Sequence, residues 1–269
     1  MLGRTAAELA TTDTLEQIPA LLVSAVPAVS AAQMAEVDRL ATEEFGIDLL
    51  QMMELAGSHL AELVRVLLGG DLRGKRVIVA AGPGNNGGGG LAATRHLANR
   101  GASVRAVLAR PAGRLSDAGR HQLATLLQMS VECCVAVYDL PEEELERELA
   151  GADAAIDAVL GYRSSGPPHD GVLKLIQRLA HAPVPVVSLD LPSGIDANTG
   201  QAEGDSVHAT ATLTLALPKT GLLTSAGRQH AGDLYLADIG LSGALYRQIG
   251  LDVGPIFSAG RILRLEATQ

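Results

Sequence analysis

The chain has 269 residues, of which 47% are hydrophobic and 19% are charged, and its formal net charge is −9. This composition excludes a disordered chain, and the length allows one large α/β domain or two small ones. The negative charge and an aromatic content of 2% argue against phosphate-backbone binding and base stacking, so nucleic acid is not an expected partner.

The pattern of apolar residues along the chain predicts alternating helices and strands. The predicted helices are Leu15–Val26, a segment from the capping box Ser30–Gln33 through Phe45, Leu49–Leu68, Leu91–Arg100, Asp117–Met129, Glu142–Ala150 and Gly171–Ala180. The predicted strands are Arg76–Ala81, Ser103–Ala109, Glu132–Tyr138, Ala154–Leu160, Val184–Asp190, Ala209–Leu217 and Asp233–Asp238.

Near-continuous apolar strands separated by helices predict βαβ units and a parallel sheet covered on both faces. We therefore expect one three-layer α/β domain. The last two strands lack a clear helix between them and are expected to pair as an antiparallel edge. The domain covers residues 29–250, between an N-terminal extension of residues 1–28 and a C-terminal tail of residues 251–269.

The cysteines and the absence of targeting signals predict a setting in the cytoplasm. Cys133 and Cys134 are adjacent in a strand-like run, which indicates core thiols and neither a disulfide framework nor a zinc site. The N-terminus does not have the pattern of a secretory signal, and no apolar run reaches membrane-spanning length. We expect no membrane association.

A glycine-rich segment follows the first predicted strand and reads Gly82-Pro83-Gly84-Asn85-Asn86-Gly87-Gly88-Gly89-Gly90. Gly82, Gly84 and Gly87 have the G-x-G-x-x-G spacing, which predicts a turn that brings backbone N–H groups to a nucleotide or phosphate. The amides of Asn85 and Asn86 can offer oxygens to a cation or hydrogen bonds to a ligand.

Two other interpretations of this loop stay open. An NAD(P)-dependent dehydrogenase would need an acidic residue at the end of the second strand, where the sequence reads Leu108-Ala109-Arg110-Pro111. Arg110 suits a 2′-phosphate in that interpretation, or it is simply solvated. The third interpretation is a tight turn that binds no ligand.

Polar residues follow several other strands, and parallel strands bring their carboxyl ends to one edge of the sheet. Asp157 lies inside one apolar run and Asp190 ends another, Ser193 follows Asp190, and Lys219 follows a later strand. Asp190 suits general acid–base catalysis, and Lys219 is a second catalytic candidate. The alternatives are a loop cap for Asp157, an Asx turn for Asp190 and a solvated side chain for Lys219.

Three of these positions carry oxygen atoms that favour hard cations. Asn86, Asp157 and Ser193 offer amide, carboxylate and hydroxyl oxygens at the same edge of the sheet. The spacing fits a monovalent or a hard divalent cation and does not choose between them.

The chain resembles the YjeF N-terminal-domain family, the NAD(P)H-hydrate epimerases. The resemblance covers about Ser30 to Leu241. The motifs that carry it are Asp38-Arg39, Met53-Glu54-Leu55-Ala56-Gly57, Gly82–Gly88, Ile156-Asp157-Ala158 with Gly161, Leu189–Asp196, Pro218–Leu223 and Asp238-Ile239-Gly240.

The resemblance implies a Rossmann-like three-layer αβα sandwich, often dimeric, that interconverts the R and S forms of NADH and NADPH hydrated at C6. It implies a potassium ion on Asn86, Asp157 and Ser193, and Asp190 as the acid–base group. The implied substrate contacts, besides Asp190, are Gly84, Asn85, Asn86, Gly87, Gly88, Gly161, Tyr162, Arg163, Ser164, Ser165, Gly166 and Pro167.

This chain departs from the family pattern at three positions. Gly89 stands where the pattern has Asp, Leu55 where it has Asn, and Arg163 where a glycine is common. Losing a carboxylate and gaining a cation favours a more anionic ligand. The alternative is a catalytically diverged module of the same fold that binds nucleotide-like ligands or protein partners.

Overall fold

The structure, a computed structural model, describes residues 18–129, 135–136 and 140–267. The strands in these residues are β1 Ala20–Leu22, β2 Arg76–Ala81, β3 Ser103–Leu108, β4 Val135–Ala136, β5 Ala154–Ala158, β6 Val186–Leu189, β7 Ala211–Leu215, β8 Asp233–Ala237 and β9 Ile262–Glu266. The helices are α1 Ala31–Glu43, α2 Leu49–Leu67, α3 Asn85–Asn99, α4 Asp117–Leu127, α5 Glu142–Ala150, α6 Asp170–Ala180, α7 Ser225–Ala231 and α8 Gly243–Gln248.

The described strands form one sheet in the order β1-β9-β8-β7-β6-β5-β2-β3-β4. All neighbouring strands pair parallel except β8 and β9, which pair antiparallel. Alternate residues of β2 enter different apolar clusters. Val77 and Val79 pack with α2, α3 and α4, whereas Ile78 and Ala80 pack with α5 and α6. Helices therefore cover both faces, and the predicted three-layer α/β fold with a mostly parallel sheet is confirmed.

The N-terminal part of the described chain is a strand where a helix was expected. Ala20–Leu22 forms β1, so the predicted helix Leu15–Val26 is wrong over these residues. β1 pairs with β9, which lies in the predicted C-terminal tail. A pairing between residues so far apart in sequence leaves no local pattern that could predict it. The predicted N-terminal extension and C-terminal tail thus each contribute a strand to the sheet of the predicted domain.

The expected antiparallel pair of the last two predicted strands is also wrong. β7 and β8 pair parallel, and β8 pairs antiparallel with β9 instead. The crossover between β7 and β8 contains the seven-residue helix α7, whose first turn is capped by the Thr224 hydroxyl accepting from the Gly227 N–H at 3.1 Å. A helix this short carries too few apolar positions for its period to be recognised.

The glycine-rich segment is helical over most of its length. α3 begins at Asn85 and not near Leu91, so the predicted loop extends only to Gly84. Glycine disfavours helices, but close packing reverses that preference here. A Cβ on Gly87 would lie 1.9 Å from the carbonyl oxygen of Gly82. Absence of side chains lets the first turn of α3 approach the end of β2.

Two further expectations are tested only in part. The predicted strand Glu132–Tyr138 is described only at Val135–Ala136, which pairs with β3, and Cys133 and Cys134 lie outside the described residues. Within the described residues, no helix combines the length and the apolar character needed to cross a membrane.

Candidate active site

A cavity of about 460 Å³ opens where the carboxyl ends of the parallel strands meet the start of α3. Its lining includes residues 83–86 between β2 and the first turn of α3, residues 159–164 after β5, and residues 189–190 at the end of β6. Helices α1 and α2 add an apolar wall that includes Met34, Met52 and Met53. The cavity lies at the sheet edge where ligands of open α/β sheets bind.

A buried ion pair lines this cavity. Lys219 Nζ donates to Asp190 Oδ1 and, at 2.9 Å, to the carbonyl oxygen of Leu215. The two side chains are 1% and 5% exposed, so the solvated alternative for Lys219 is wrong. Asp190 has a φ of +71°, a left-handed conformation that aspartate adopts more readily than most residues. The pair presents a carboxylate and an ammonium group to the cavity.

Tyr162 connects the ion pair to α1. Its backbone N–H donates to Asp190 Oδ2 at 3.0 Å, and its phenol donates to Asp38 Oδ2 at 2.5 Å. Lys219 Nζ lies 5.7 Å from the centroid of the Tyr162 ring. Burial and the charge of Asp38 raise the pKa of Tyr162. The phenol therefore stays protonated and remains a hydrogen-bond donor to Asp38.

Arg163 also reaches Asp38. Its Nε donates to the Tyr162 phenol oxygen at 2.7 Å, and its Nη2 lies 3.1 Å from Asp38 Oδ2. The charged residues that line the cavity are Asp38, Arg163, Asp190 and Lys219, two of each sign. Arg163 therefore balances Asp38 and gives the cavity no net positive charge, which weakens the argument for a more anionic ligand.

Asp157 is fully buried in β5 and takes part in a network with Ser188 and Ser193. Its Oδ1 accepts from Ser193 Oγ at 2.5 Å and from the Val159 N–H at 3.2 Å. Its Oδ2 accepts from Ser188 Oγ and the Ser193 N–H, both at 2.8 Å. Burial raises the pKa of Asp157, and the bonds from the two serines oppose that shift. The network extends well beyond the loop cap that was the alternative.

Asn86 lies beside this network. Its Nδ2 donates to the carbonyl oxygens of Leu160 and Leu189 at 2.8 and 3.1 Å, and the Leu160 N–H donates to Ser193 Oγ at 2.8 Å. Asn86 and Ser193 therefore meet around Leu160, with Asp157 bonded to Ser193.

The donor set fits a singly charged cation. Asn86, Asp157 and Ser193 supply hard oxygen donors with one carboxylate among them. Divalent calcium and magnesium sites draw on more carboxylates, and the described residues contain no group of three His, Cys, Asp or Glu that could hold a metal. The chemistry of the three residues thus suits potassium better than a divalent ion.

Most of the predicted site residues line the cavity. Those that do are Gly84, Asn85, Asn86, Gly161, Tyr162, Arg163, Ser164, Asp190 and Lys219. Asp157 and Ser193, which were predicted to hold the cation, are buried and lie outside its lining. Five predicted substrate contacts also lie outside it: Gly87 and Gly88 are buried in α3, and Ser165, Gly166 and Pro167 are exposed in the loop before α6. Their contacts with substrate stay predictions.

Asp38 lines the cavity, although the sequence pointed to no role for it beyond the family motif Asp38-Arg39. A signal was available, because Asp38 lies four residues after Met34 and three before Ala41, two buried residues of α1. A carboxylate beside the apolar stripe of a helix is costly to bury unless it has partners. Burial raises the pKa of Asp38, and its partners Tyr162 and Arg163 oppose that shift.

The departures from the family pattern have different structural settings. Gly89 lines the cavity, and a Cβ there would lie 2.8 Å from Cδ2 of Leu189. Leu189 therefore occupies the space next to the missing carboxylate. Leu55 lies outside the cavity lining, with its Cδ1 packed toward Gly240 after β8.

Arg110 does not present a free cation for a 2′-phosphate. Its Nη2 donates to Asp170 Oδ2 at 2.8 Å, at the start of α6. The dehydrogenase interpretation, which already lacked the expected carboxylate after β3, thus also lacks its substitute.

Comparison with known proteins gives a consistent result. The profile of the family described as YjeF-related protein N-terminus matches residues 49–221, more than half of the chain. An NAD(P)H-hydrate epimerase of Dehalogenimonas lykanthroporepellens is 42% identical over 91% of this chain and 95% of its own length. Another NAD(P)H-hydrate epimerase, of Truepera radiovictrix, is 38% identical over 83% of this chain and 94% of its own. The crystal structure of yeast ynu0 (YNL200c) has a TM-score of 0.76 and 25% identity, covering 89% of this chain and 100% of that one. The chain belongs to the family of YjeF-related protein N-termini.

Proposed function

We propose that this protein is an isomerase, an NAD(P)H-hydrate epimerase that interconverts the R and S forms of hydrated NADH and NADPH. The observation that carries the proposal is the buried Asp190–Lys219 pair lining a cavity beside the start of α3. Relatives that match this chain over nearly their whole length carry that name.

The start of α3 suits the phosphates of such a substrate. The first helical hydrogen bond runs from the Gly88 N–H to the Gly84 carbonyl oxygen at 3.2 Å, so the N–H groups before Gly88 have no helical acceptor. Gly84 and Asn85 are exposed and line the cavity. A diphosphate placed there meets free N–H groups and the positive end of the helix dipole.

The acid–base pair suits the reacting ring. The hydrate carries a hydroxyl group on C6, next to the ring nitrogen. Protonation of that hydroxyl lets it leave as water, and the nitrogen lone pair stabilises the resulting cation. Asp190 can hold and return the proton, with Lys219 fixing one of its oxygens and Tyr162 N–H the other. Water that adds to C6 from the opposite face inverts the centre.

The test of the proposal is epimer exchange. The isolated R hydrate of NADH is mixed with the protein in potassium buffer, and the ratio of R to S is followed by chromatography against a protein-free control. We expect acceleration by the wild type, and its loss in Asp190→Ala because the proton carrier is gone. A folded wild-type protein that gives no acceleration would favour the alternative, a diverged binding module of this fold.

We also propose a potassium ion on Asn86, Asp157 and Ser193, supported by their single carboxylate and neutral oxygens. Such an ion supplies fixed positive charge beside the loops that line the cavity. Potassium chloride is expected to raise the unfolding temperature above that in lithium chloride at equal ionic strength, because the ion binds the folded state.

Two serine variants provide the control for this prediction. Ser193→Ala removes a proposed ligand, whereas Ser188→Ala removes a hydroxyl that bonds to Asp157 but is not a proposed ligand. The difference between the two salts should vanish in Ser193→Ala and persist in Ser188→Ala. Equal unfolding temperatures of the wild type in both salts would contradict the assignment.

A homodimer in the cytoplasm is part of the same proposal. The family resemblance supports the dimer, and the absence of a pattern of disulfide-forming cysteines in the sequence supports a reducing compartment.

A further inference from the structure

Epimerisation at a carbon that bears a hydroxyl group requires proton transfer on both faces of the ring, which a single carboxylate on one face provides poorly. Water leaves from one face of the ring and returns to the other, so a proton is delivered on one face and removed on the opposite face. Glycosidases that invert a centre solve the same problem with two carboxyl groups about 6.5 to 9.5 Å apart, one on each side of the reacting carbon.

The cavity contains two carboxylates that come from different elements. Asp190 follows β6, and Asp38 lies on α1. Tyr162 separates them, because its backbone N–H donates to Asp190 Oδ2 and its phenol donates to Asp38 Oδ2. The two carboxyl groups are thus bonded to the two ends of one tyrosine residue, and both line the same cavity.

We propose that Asp38 is the second acid–base residue of the epimerase, acting on the ring face opposite Asp190. This inference rests on the proposed function. It assigns a catalytic role to a residue on α1, outside the segments after β2, β5 and β6 that line the cavity.

The surroundings of the two carboxylates differ in the way that such a division of roles requires. Asp190 is bonded to the buried cation Lys219. Asp38 is 24% exposed, and its described hydrogen bonds come from the neutral Tyr162 phenol and from Arg163, which is 59% exposed. Lys219 and Asp190 also act on Asp38 through their charges. Burial raises the pKa of Asp38 above its ordinary value, although the bonds from Tyr162 and Arg163 oppose that shift.

The proposed step balances without any further reactant. The protonated carboxyl group on one face gives its proton to the C6 hydroxyl, and the C–O bond breaks with both electrons leaving on water. The nitrogen lone pair forms the C=N bond of the cation. Water on the other face adds to C6 and loses a proton to the second carboxylate, while the electrons of the C=N bond return to nitrogen. One carboxyl group has lost a proton, the other has gained one, and exchange with solvent resets the pair.

Exchange of the hydroxyl oxygen with solvent distinguishes two carboxylates from one. If only one face keeps its acid–base group, water can leave and return on that face, which exchanges the oxygen without inverting the centre. The experiment incubates the separated R and S hydrates of NADH with wild type, Asp38→Asn or Asp190→Asn in water labelled with heavy oxygen. Chromatography separates the epimers, and mass spectrometry measures the label in each.

We expect the wild type to label and interconvert both epimers. In Asp38→Asn, epimerisation should fall by about 100-fold or more, while one starting epimer still takes up label. Asp190→Asn should show the same pattern with the other epimer. Glu36→Gln is the matched control, since Glu36 lies on the same helix and pairs with Arg39 at the surface. It should behave as wild type.

Two results would overturn the inference. One is wild-type epimerisation by Asp38→Asn. The other is an equal loss of exchange in both epimers by a variant that unfolds at the wild-type temperature, since this would give Asp38 no preference for one face. Failure of the wild type itself to epimerise would refute the proposed function instead, so the two failures are distinguishable.

Discussion

Lys219→Met is expected to lower the free energy of unfolding by about 3 to 5 kcal/mol and to abolish epimerisation. The Asp190 carboxyl group, which is 5% exposed, would lose its nearest cation. Of its two described partners, the Tyr162 N–H would remain, which is too little to replace an ammonium group. Denaturant unfolding measures the first effect, and epimer exchange measures the second.

A double variant separates the cost of the unpaired charge from the loss of the pair. Asp190→Asn combined with Lys219→Met buries two neutral side chains of similar size. We expect it to recover most of the stability lost by Lys219→Met alone, because replacing both partners of a buried ion pair is often close to neutral. Its activity should stay lost. A double variant that is stable but inactive is the result expected if the Asp190–Lys219 pair serves the reaction and not the stability of the fold.

A surface pair provides the matched control. Lys75 Nζ lies 3.0 Å from Asp153 Oδ1, and the two side chains are 36% and 34% exposed. Lys75→Met should cost about 1 kcal/mol or less, because water screens the charge that is left behind. If both lysine variants lose the same free energy of unfolding, burial adds no cost to the unpaired charge. The stability argument for the Asp190–Lys219 pair would then be contradicted.

The sheet was predictable where burial on both faces leaves a local signal. β2 and β5 are near-continuous apolar runs, interrupted in β5 by Asp157, because helices cover them from both sides. β2 was predicted with the bounds that the structure has. β1 was not predictable, since the strand with which it pairs among the described residues is β9, near the other end of the chain. Such a pairing depends on the assembled sheet and not on the residues next to it.

The candidate site was likewise predictable only in part from the sequence. Strand ends predicted the positions of Asp157, Asp190 and Lys219, because the carboxyl ends of parallel strands meet at one edge. The rule contains nothing about helices, so it could not predict that α1 brings Asp38 to the same cavity. The contact between Asp38 and Tyr162 joins residues 124 positions apart in sequence, and only packing of α1 against the site determines it.

The glycine-rich segment shows how packing overrides local preference, and it leads to a second large effect. Gly87→Ala is expected to cost about 3 kcal/mol or more, because its Cβ would lie 1.9 Å from the backbone oxygen of Gly82. Backbone atoms cannot rotate away as a side chain can, so α3 would have to shift. Asn86 precedes Gly87 and lines the cavity, and the shift should therefore lower epimerisation as well.

Gly84→Ala tests the same motif without the clash. No atom lies within 4 Å of a Cβ at Gly84, and its φ of −86° is accessible to alanine. The variant should lose about 1 kcal/mol or less, the cost of a poorer helix cap. Denaturant unfolding of the two variants under the same conditions measures the free energy of unfolding that each one loses. If the two glycines prove equally replaceable, the segment serves as a turn and close packing does not explain its composition. A large loss of stability in Gly87→Ala alone would show that the contact between α3 and the end of β2 requires this glycine. Part of the apparent phosphate-binding motif would then be explained by packing.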